Sequence, residues 1–321
     1  MRWGWTVVAA LLGCGFGAVS AEARPCGGSV ACACGDTVVA DTLLVADLEA
    51  CPARGLRVVR GAALDCAGHV VSGLGAGDGI VVDRGQGAVV KGCIVVGFRI
   101  GLRLRGGHDN RLEGNQALDS VQYGIELAKR TAGAIVHGNL VVDSADEGIH
   151  VGSGAIGAWI EANEIIGSAA ENLYLLSVEG ATVSGNVLAE SGAAALYIKH
   201  SSGNVFTNNV IEDRIVHLRG ASNDNVFIGN HLVGAGFVLE AYEEGTTAAR
   251  NPGWTAPLWN SITGGSIVGA KICFRFAGAS SNQVGSVTVD GCLVTREQDR
   301  GGLGAIDNLV ETIPLPASGN A

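Results

Sequence analysis

The chain has 321 residues, 50 of them glycine, with 47% hydrophobic, 16% charged and only 5% aromatic residues. That composition suits many tight turns around a narrow aliphatic interior better than a helical globule. Its 21 Lys and Arg stand against 31 Asp and Glu, so the basic footprint that phosphate binding needs is missing and nucleic acid is not an expected partner.

Residues 1–23 read as a signal peptide: Arg2, an apolar run from Trp3 to Val19, and the cleavage pattern Ala21-Glu22-Ala23. The run is too short to span a bilayer and no stop-transfer charges follow, so no integral membrane span is expected. Leu11-Leu12-Gly13-Cys14 offers a second reading, a lipobox that would leave a lipidated Cys14. Either way the expected location is secreted, periplasmic or cell-surface.

Eight cysteines follow the leader: Cys26, Cys32, Cys34, Cys51, Cys66, Cys93, Cys273 and Cys292. An even number in an exported chain favours disulfides, with the pairing left open. Zinc in the first four is the alternative, disfavoured by the Cys-x-Cys spacing. Residues 24–60 hold half of these cysteines and do not follow the pattern of what comes next, so they read as a Cys-rich N-terminal cap.

Residues 61–295 repeat. Units open at Gly101-Leu-Arg-Leu104, Gly124-Ile-Glu-Leu127, Gly148-Ile-His-Val151, Asn172-Leu-Tyr-Leu175, Ala195-Leu-Tyr-Ile198 and Ile215-Val-His-Leu218, and each reaches an Asn 14 or 15 residues later, from Asn115 to Asn230. A period of 20 to 24 residues marks a solenoid. Nine aligned units, starting at Gly79 and ending with the one opened by Cys273, give four columns that should face inward. The first runs from Ile80 to Phe274 and the third from Val90 to Val284, and every member of all four is apolar, with Ala117 the smallest. Apolar positions at period two, bounded by Gly, Ser or Asn, are strands. Stacked at about 4.8 Å per rung they form parallel sheets, and the Asn column fits a ladder of side-chain amides or a turn residue. The expectation is an all-β, right-handed parallel β-helix of about nine to ten rungs.

The motif Leu64-Asp-Cys-Ala-Gly-His69 and the repeated Gly-Ile-x-Leu and Gly-Asn-x-Val resemble those of secreted bacterial parallel β-helix repeat proteins, including the NosD-like and the carbohydrate-binding and sugar-hydrolase-like groups. The resemblance covers about residues 26–295. It implies the fold, and for activity it leaves lyases, hydrolases, epimerases, adhesins and accessory proteins open. The Asp-Pro-His-Asp motif of alginate epimerases is absent, the nearest text being Asp146-Glu-Gly-Ile-His150.

An insertion at 240–259, carrying Tyr242, Trp254 and Trp259, interrupts the eighth unit and is a candidate rim of a binding site. Residues 296–321 read as a C-terminal cap and tail. The outward residue of each opening strand gives Arg103, Glu126, His150, Tyr174, Tyr197 and His217 on six consecutive rungs, a line of roughly 25 Å. Tyr faces can stack on sugar rings while Arg, Lys and His meet carboxylates or hydroxyls; the plainer alternative is a set of cross-rung ladders and surface ion pairs. Glu126, His150, Tyr174, Glu147 and Lys199 are the candidate catalytic groups, as bases, acids or charge neutralisers. Arg103, Tyr197, His217, Arg219 and Trp254 are the candidate substrate-binding groups. A NosD-like copper role would call on Glu126, Glu147 and His150; the expectation is nevertheless no cofactor and no metal. The expected partner is a polysaccharide or other glycan, and the expected state is a monomer. A non-catalytic surface or accessory protein is the rival reading.

Overall fold

A computed structural model describes residues 23–128, 130–243, 254–297 and 304–315; the leader, Cys14 and the central part of the insertion lie outside these. The described chain is all β, a parallel solenoid of about 11 turns with no helix. Each regular turn contributes one strand to a 14-stranded sheet and two short strands to a 22-stranded sheet. Successive strands of the first sheet include Asp78–Gln86, Ile100–His108, Tyr123–Leu127, Ile149–Val151, Leu173–Leu176, Leu196–Lys199, Val216–Arg219 and Phe237–Glu240. The turn count exceeds the nine aligned units partly because Pro25–Cys26, Thr37–Val38 and Leu56–Val58 also pair in parallel into this sheet.

All four apolar columns are buried along the whole stack. Burying each aliphatic side chain contributes roughly 1.5–3 kcal/mol, and the rung register makes each one pack on its equivalents above and below. Toward the C-terminal end aromatic rings take over: Phe206 stacks on Phe227 with centroids 4.5 Å apart, and Phe237 stacks on Phe274 at 5.7 Å.

The Asn column is a ladder. Asn115 Nδ2 donates to Asn139 Oδ1 (3.0 Å), and the same bond links Asn139 to Asn163, Asn163 to Asn186, Asn186 to Asn209 and Asn209 to Asn230. Each Oδ1 also accepts from a backbone N–H one rung below, beginning with Cys93. The left-handed turn residue is the one before the Asn, with φ of 60° at Gly114 and 63° at Gly138, so the Asn are kept for their amides. A second ladder runs Asn204, Asn225, Asn260, Asn282, Asn308. In the preceding rungs its slot holds the buried Ala134, Ala158 and Ala181.

The cysteines pair as Cys26–Cys32, Cys34–Cys51, Cys66–Cys93 and Cys273–Cys292. No thiolate remains in the first cluster for zinc. At the base of the insertion, Tyr242–Glu243 pairs antiparallel with Trp254–Thr255.

Candidate functional site

The period-two alternation that buries Leu102, Ile125, Ile149, Leu173, Leu196 and Val216 turns their successors outward. Strand register then places Arg103 beside Glu126, Glu126 beside His150, His150 beside Tyr174, Tyr174 beside Tyr197 and Tyr197 beside His217. All six are half-buried, because each is walled by its neighbours in the column.

The centre of the line is a stack of rings. Tyr123 lies face to face with His150 at 4.5 Å, His150 meets Tyr174 edge-on at 5.4 Å, Tyr174 stacks on Tyr197 at 5.1 Å, and Tyr197 stacks on His217 at 5.0 Å. Burial pushes the phenols of Tyr123, Tyr174 and Tyr197 above their usual range, so they stay protonated.

Acids flank the lower half. Glu126 Oε2 is 2.6 Å from Arg103 Nε, an ion pair aligned off the N–H axis. Desolvation nevertheless raises the Glu126 carboxyl, outweighing the attraction of Arg103 and His150. The turn before Ile149–Val151 brings Asp146 and the buried Glu147 together. Burial first, then the Glu147 charge and a carboxyl–carboxyl hydrogen bond, raise Asp146 to about 6. Burial and Glu147 also raise Glu171. Glu147 Oε1 is 3.6 Å from His150 Nδ1. This is an arrangement of carboxyls raised by burial, Asp146 foremost, beside an imidazole, the raw material of general acid–base chemistry.

The upper half is organised by Glu240. It lies 3.1 Å from His217 Nε2 and 3.6 Å from Arg219 Nε, and Arg219 also donates to the Tyr197 hydroxyl at 3.4 Å. Desolvation lowers the His217 pKa despite Glu240, keeping the ring neutral. Lys199 and Arg219 each stand 4.5 Å from the centroid of Tyr242 at the base of the insertion.

Of the ten expected residues, the structure gathers Arg103, Glu126, Glu147, His150 and Tyr174 in one half and Tyr197, Lys199, His217 and Arg219 in the other. Trp254 lies in the hairpin strand opposite Glu243. Two partners are not among the expected residues: Asp78 receives Arg99 at 2.8 Å and Arg103 at 3.1 Å, and Glu240 serves His217 and Arg219. The outward column two residues further along, where Lys199, Arg219 and Glu240 register, carries the signal for Glu240.

Fold and face together define a parallel β-helix repeat protein with a continuous aromatic and ionisable line on one outer sheet. The family described as periplasmic copper-binding protein (NosD) matches residues 61–284, and the chain belongs to that family. No curated protein matches the chain. Among solved structures it is similar to the periplasmic alginate epimerase AlgG, at 16% identity over 88% of this chain and 68% of that one, with a TM-score of 0.59. It is similar also to a DFA-IIIase from Arthrobacter chlorophenolicus A6, at 18% identity over 86% and 75%, TM-score 0.61. A GH87 α-1,3-glucanase catalytic unit from Streptomyces thermodiastaticus strain HF3-3 matches at 12% identity over 88% and 60%, TM-score 0.54. At these identities the likeness is one of fold.

The periplasmic description and four disulfides agree with an oxidising, extracytoplasmic compartment. No helix among the described residues is long and apolar enough to cross a membrane. The donor set does not fit copper. Every cysteine after the leader is in a disulfide, the single Met is Met1, and no group of three or more His, Cys, Asp or Glu among the described residues is placed to hold a metal ion. The trio Glu126, Glu147 and His150 fails because Glu126 is engaged by Arg103 and the His150 ring is held against Tyr123.

Proposed function

We propose that this chain is an exported β-helix protein that binds a polysaccharide along the outer face from Arg103 to His217 and cleaves it at the acidic centre by Glu126, Asp146, Glu147 and His150. The observation that carries this reading is the unbroken ring stack Tyr123–His150–Tyr174–Tyr197–His217 running into a cluster of carboxyls raised by burial. The outward edges of these stacked rings, with phenol oxygens and imidazole nitrogens one rung apart, suit the hydroxyls of successive sugar rings. Asp146, protonated up to about pH 6, supplies the acid for a glycosidic oxygen. Glu147, hydrogen-bonded to Asp146, holds that acid in place, and Glu126 takes the proton of the water whose oxygen adds to the sugar carbon as the glycosidic bond breaks. Tyr174, kept protonated by burial, serves as hydrogen-bond donor rather than base. Lys199, Arg219 and His217 hold polar groups at the far end, with the Trp254 strand as the rim. The alginate epimerase and the α-1,3-glucanase among the similar structures lend this substrate class further support.

A second reading has its own observation. Most ionisable groups in the column already have a protein partner, as Arg103 has Asp78 and Glu126 and His217 has Glu240, which suits a non-catalytic rod. The two part on one experiment. Purified protein is assayed against uronate and neutral polysaccharides for binding, reducing ends and unsaturated products. Tyr174→Ala with Tyr197→Ala should weaken binding about thirtyfold, at about 1 kcal/mol per ring. Glu126→Gln or Asp146→Asn should abolish turnover with binding intact, and turnover should fall as pH rises through about 6. Binding without turnover leaves the non-catalytic reading; a protein that neither binds nor alters any glycan defeats both steps.

A further inference from the structure

Seven arginines among the described residues pair with an acid. Arg24 meets Asp36 at 3.4 Å, Arg99 meets Asp78 at 2.8 Å, Arg111 meets Glu113 at 3.3 Å, and Arg219 meets Glu240 at 3.6 Å. Arg60 and Arg84 are different. They occupy equivalent turn positions on consecutive rungs, just past the registered pair Val58 and Val82. Both are exposed, and neither has an acidic partner among the described residues. With Arg57, Val59, Asp83 and Gln86 they line an open depression at the N-terminal end of the sheet that carries the candidate site.

Asp83 cannot neutralise this ground. It is 7% exposed and already accepts from Arg57 Nε and Arg105 Nε, both at 3.0 Å, with Arg105 foremost in holding its carboxyl down at about 2. Four guanidiniums therefore face one carboxylate, in a chain whose net charge is −10. Like charges about 4.8 Å apart on adjacent rungs repel. Nor does the backbone ask for arginine there: φ is 57° at Arg60 and 50° at Arg84, the left-handed region where glycine costs least.

We propose that the depression is an anion-binding subsite that takes the carboxylate or sulfate ester of an acidic polysaccharide. The guanidiniums of Arg57, Arg60 and Arg84 close on the oxyanion through charge-assisted, fork-shaped hydrogen bonds. Arg57 registers with Val81 and Val81 with Arg103, so the subsite occupies the two rungs just before the line that begins at Arg103. It anchors the charged end of a chain lying along that line, and in this respect it rests on the glycan reading above.

The test is a binding titration of the full mature protein with polygalacturonate, dextran sulfate, neutral dextran and a single-stranded oligonucleotide. The variant is Arg60→Gly with Arg84→Gly, which relieves the left-handed strain and so preserves the fold, checked by an unchanged or raised Tm. The wild type should favour the charged polysaccharides over dextran, with an advantage that shrinks as salt rises. The double variant should lose about tenfold for them and nothing for dextran; the probe that loses more identifies carboxylate or sulfate as the source. Unchanged affinity of the double variant for both charged polysaccharides overturns the subsite, as does tighter binding of the oligonucleotide than of either. If Tyr174→Ala with Tyr197→Ala weakens every polysaccharide while the arginine variant weakens none, the glycan reading stands and the subsite alone falls.

Discussion

At Glu126, burial outweighs an arginine 2.6 Å away, and the carboxyl holds its proton more tightly than in water. Asp146 shows the same balance with a larger consequence, since its neighbour Glu147 is another acid. A folded-state pKa raised to about 6 means that the native protein binds the proton better than the unfolded chain does. Stability from this group is therefore full below the ordinary carboxylate range and is lost as pH rises toward and through 6. Asp146→Asn should remove that loss, making the variant more stable than the wild type at pH 7.5 by about 1 kcal/mol once the shift is discounted for solvent screening. The difference should close near pH 4. Equal melting curves at both pH values would show that the acids do not repel. None of this was legible in the sequence, which placed Glu126, Glu147 and His150 within reach of one another but could not say which environment each carboxyl would meet. The line itself was legible, because a strand period of two and a rung period of about 23 residues locate every outward side chain. The partners Asp78 and Glu240 were not, since they lie just before the opening strand and in its next outward position.

The Asn ladder was foreseen as one of two possibilities, and the second ladder was not foreseen at all. Its members lie five residues before the aligned Asn position in four of the units, at Asn204, Asn225, Asn260 and Asn282. Alanine fills the slot for three rungs and interrupts the pattern, which hid it. In both ladders an amide is buried and fully used. Asn163 donates to Val136 O and to Asn186 Oδ1, both at 2.9 Å, while its Oδ1 accepts from both nitrogens of Asn139. Asn163→Ala should cost on the order of 3 kcal/mol in urea denaturation, because it strands donors on Asn139 and the Val136 carbonyl away from water. A loss below about 1 kcal/mol would mean that neighbouring rungs close the gap.

Over the whole molecule, contacts link each turn to the next, so stability is a sum of rungs and of the interfaces between them. The two ends differ. Cys26–Cys32 and Cys34–Cys51 staple the first turns and Cys273–Cys292 ties the start of Leu293–Glu297 to the turn before it, while the last strand, Leu309–Pro314, carries no bridge and leaves Leu309 and Ile313 more than half exposed. Amide hydrogen exchange should be slowest at Ile149–Val151, Leu173–Leu176 and Leu196–Lys199 and fastest at Leu309–Pro314, with the N-terminal strands joining the fast class only after reduction. A profile in which Leu309–Pro314 exchanges as slowly as Leu173–Leu176 would contradict a stack that opens from its end. The direction of the ladders carries this asymmetry further. Between successive ladder amides the bond always runs one way, from the Nδ2 of one rung to the Oδ1 of the next toward the C-terminus, while the second Nδ2 hydrogen goes back to a backbone carbonyl of the rung before. A lost amide is therefore felt most by the rung on its N-terminal side, whose backbone and side-chain donors both lose their acceptor, so damage in a ladder has a direction.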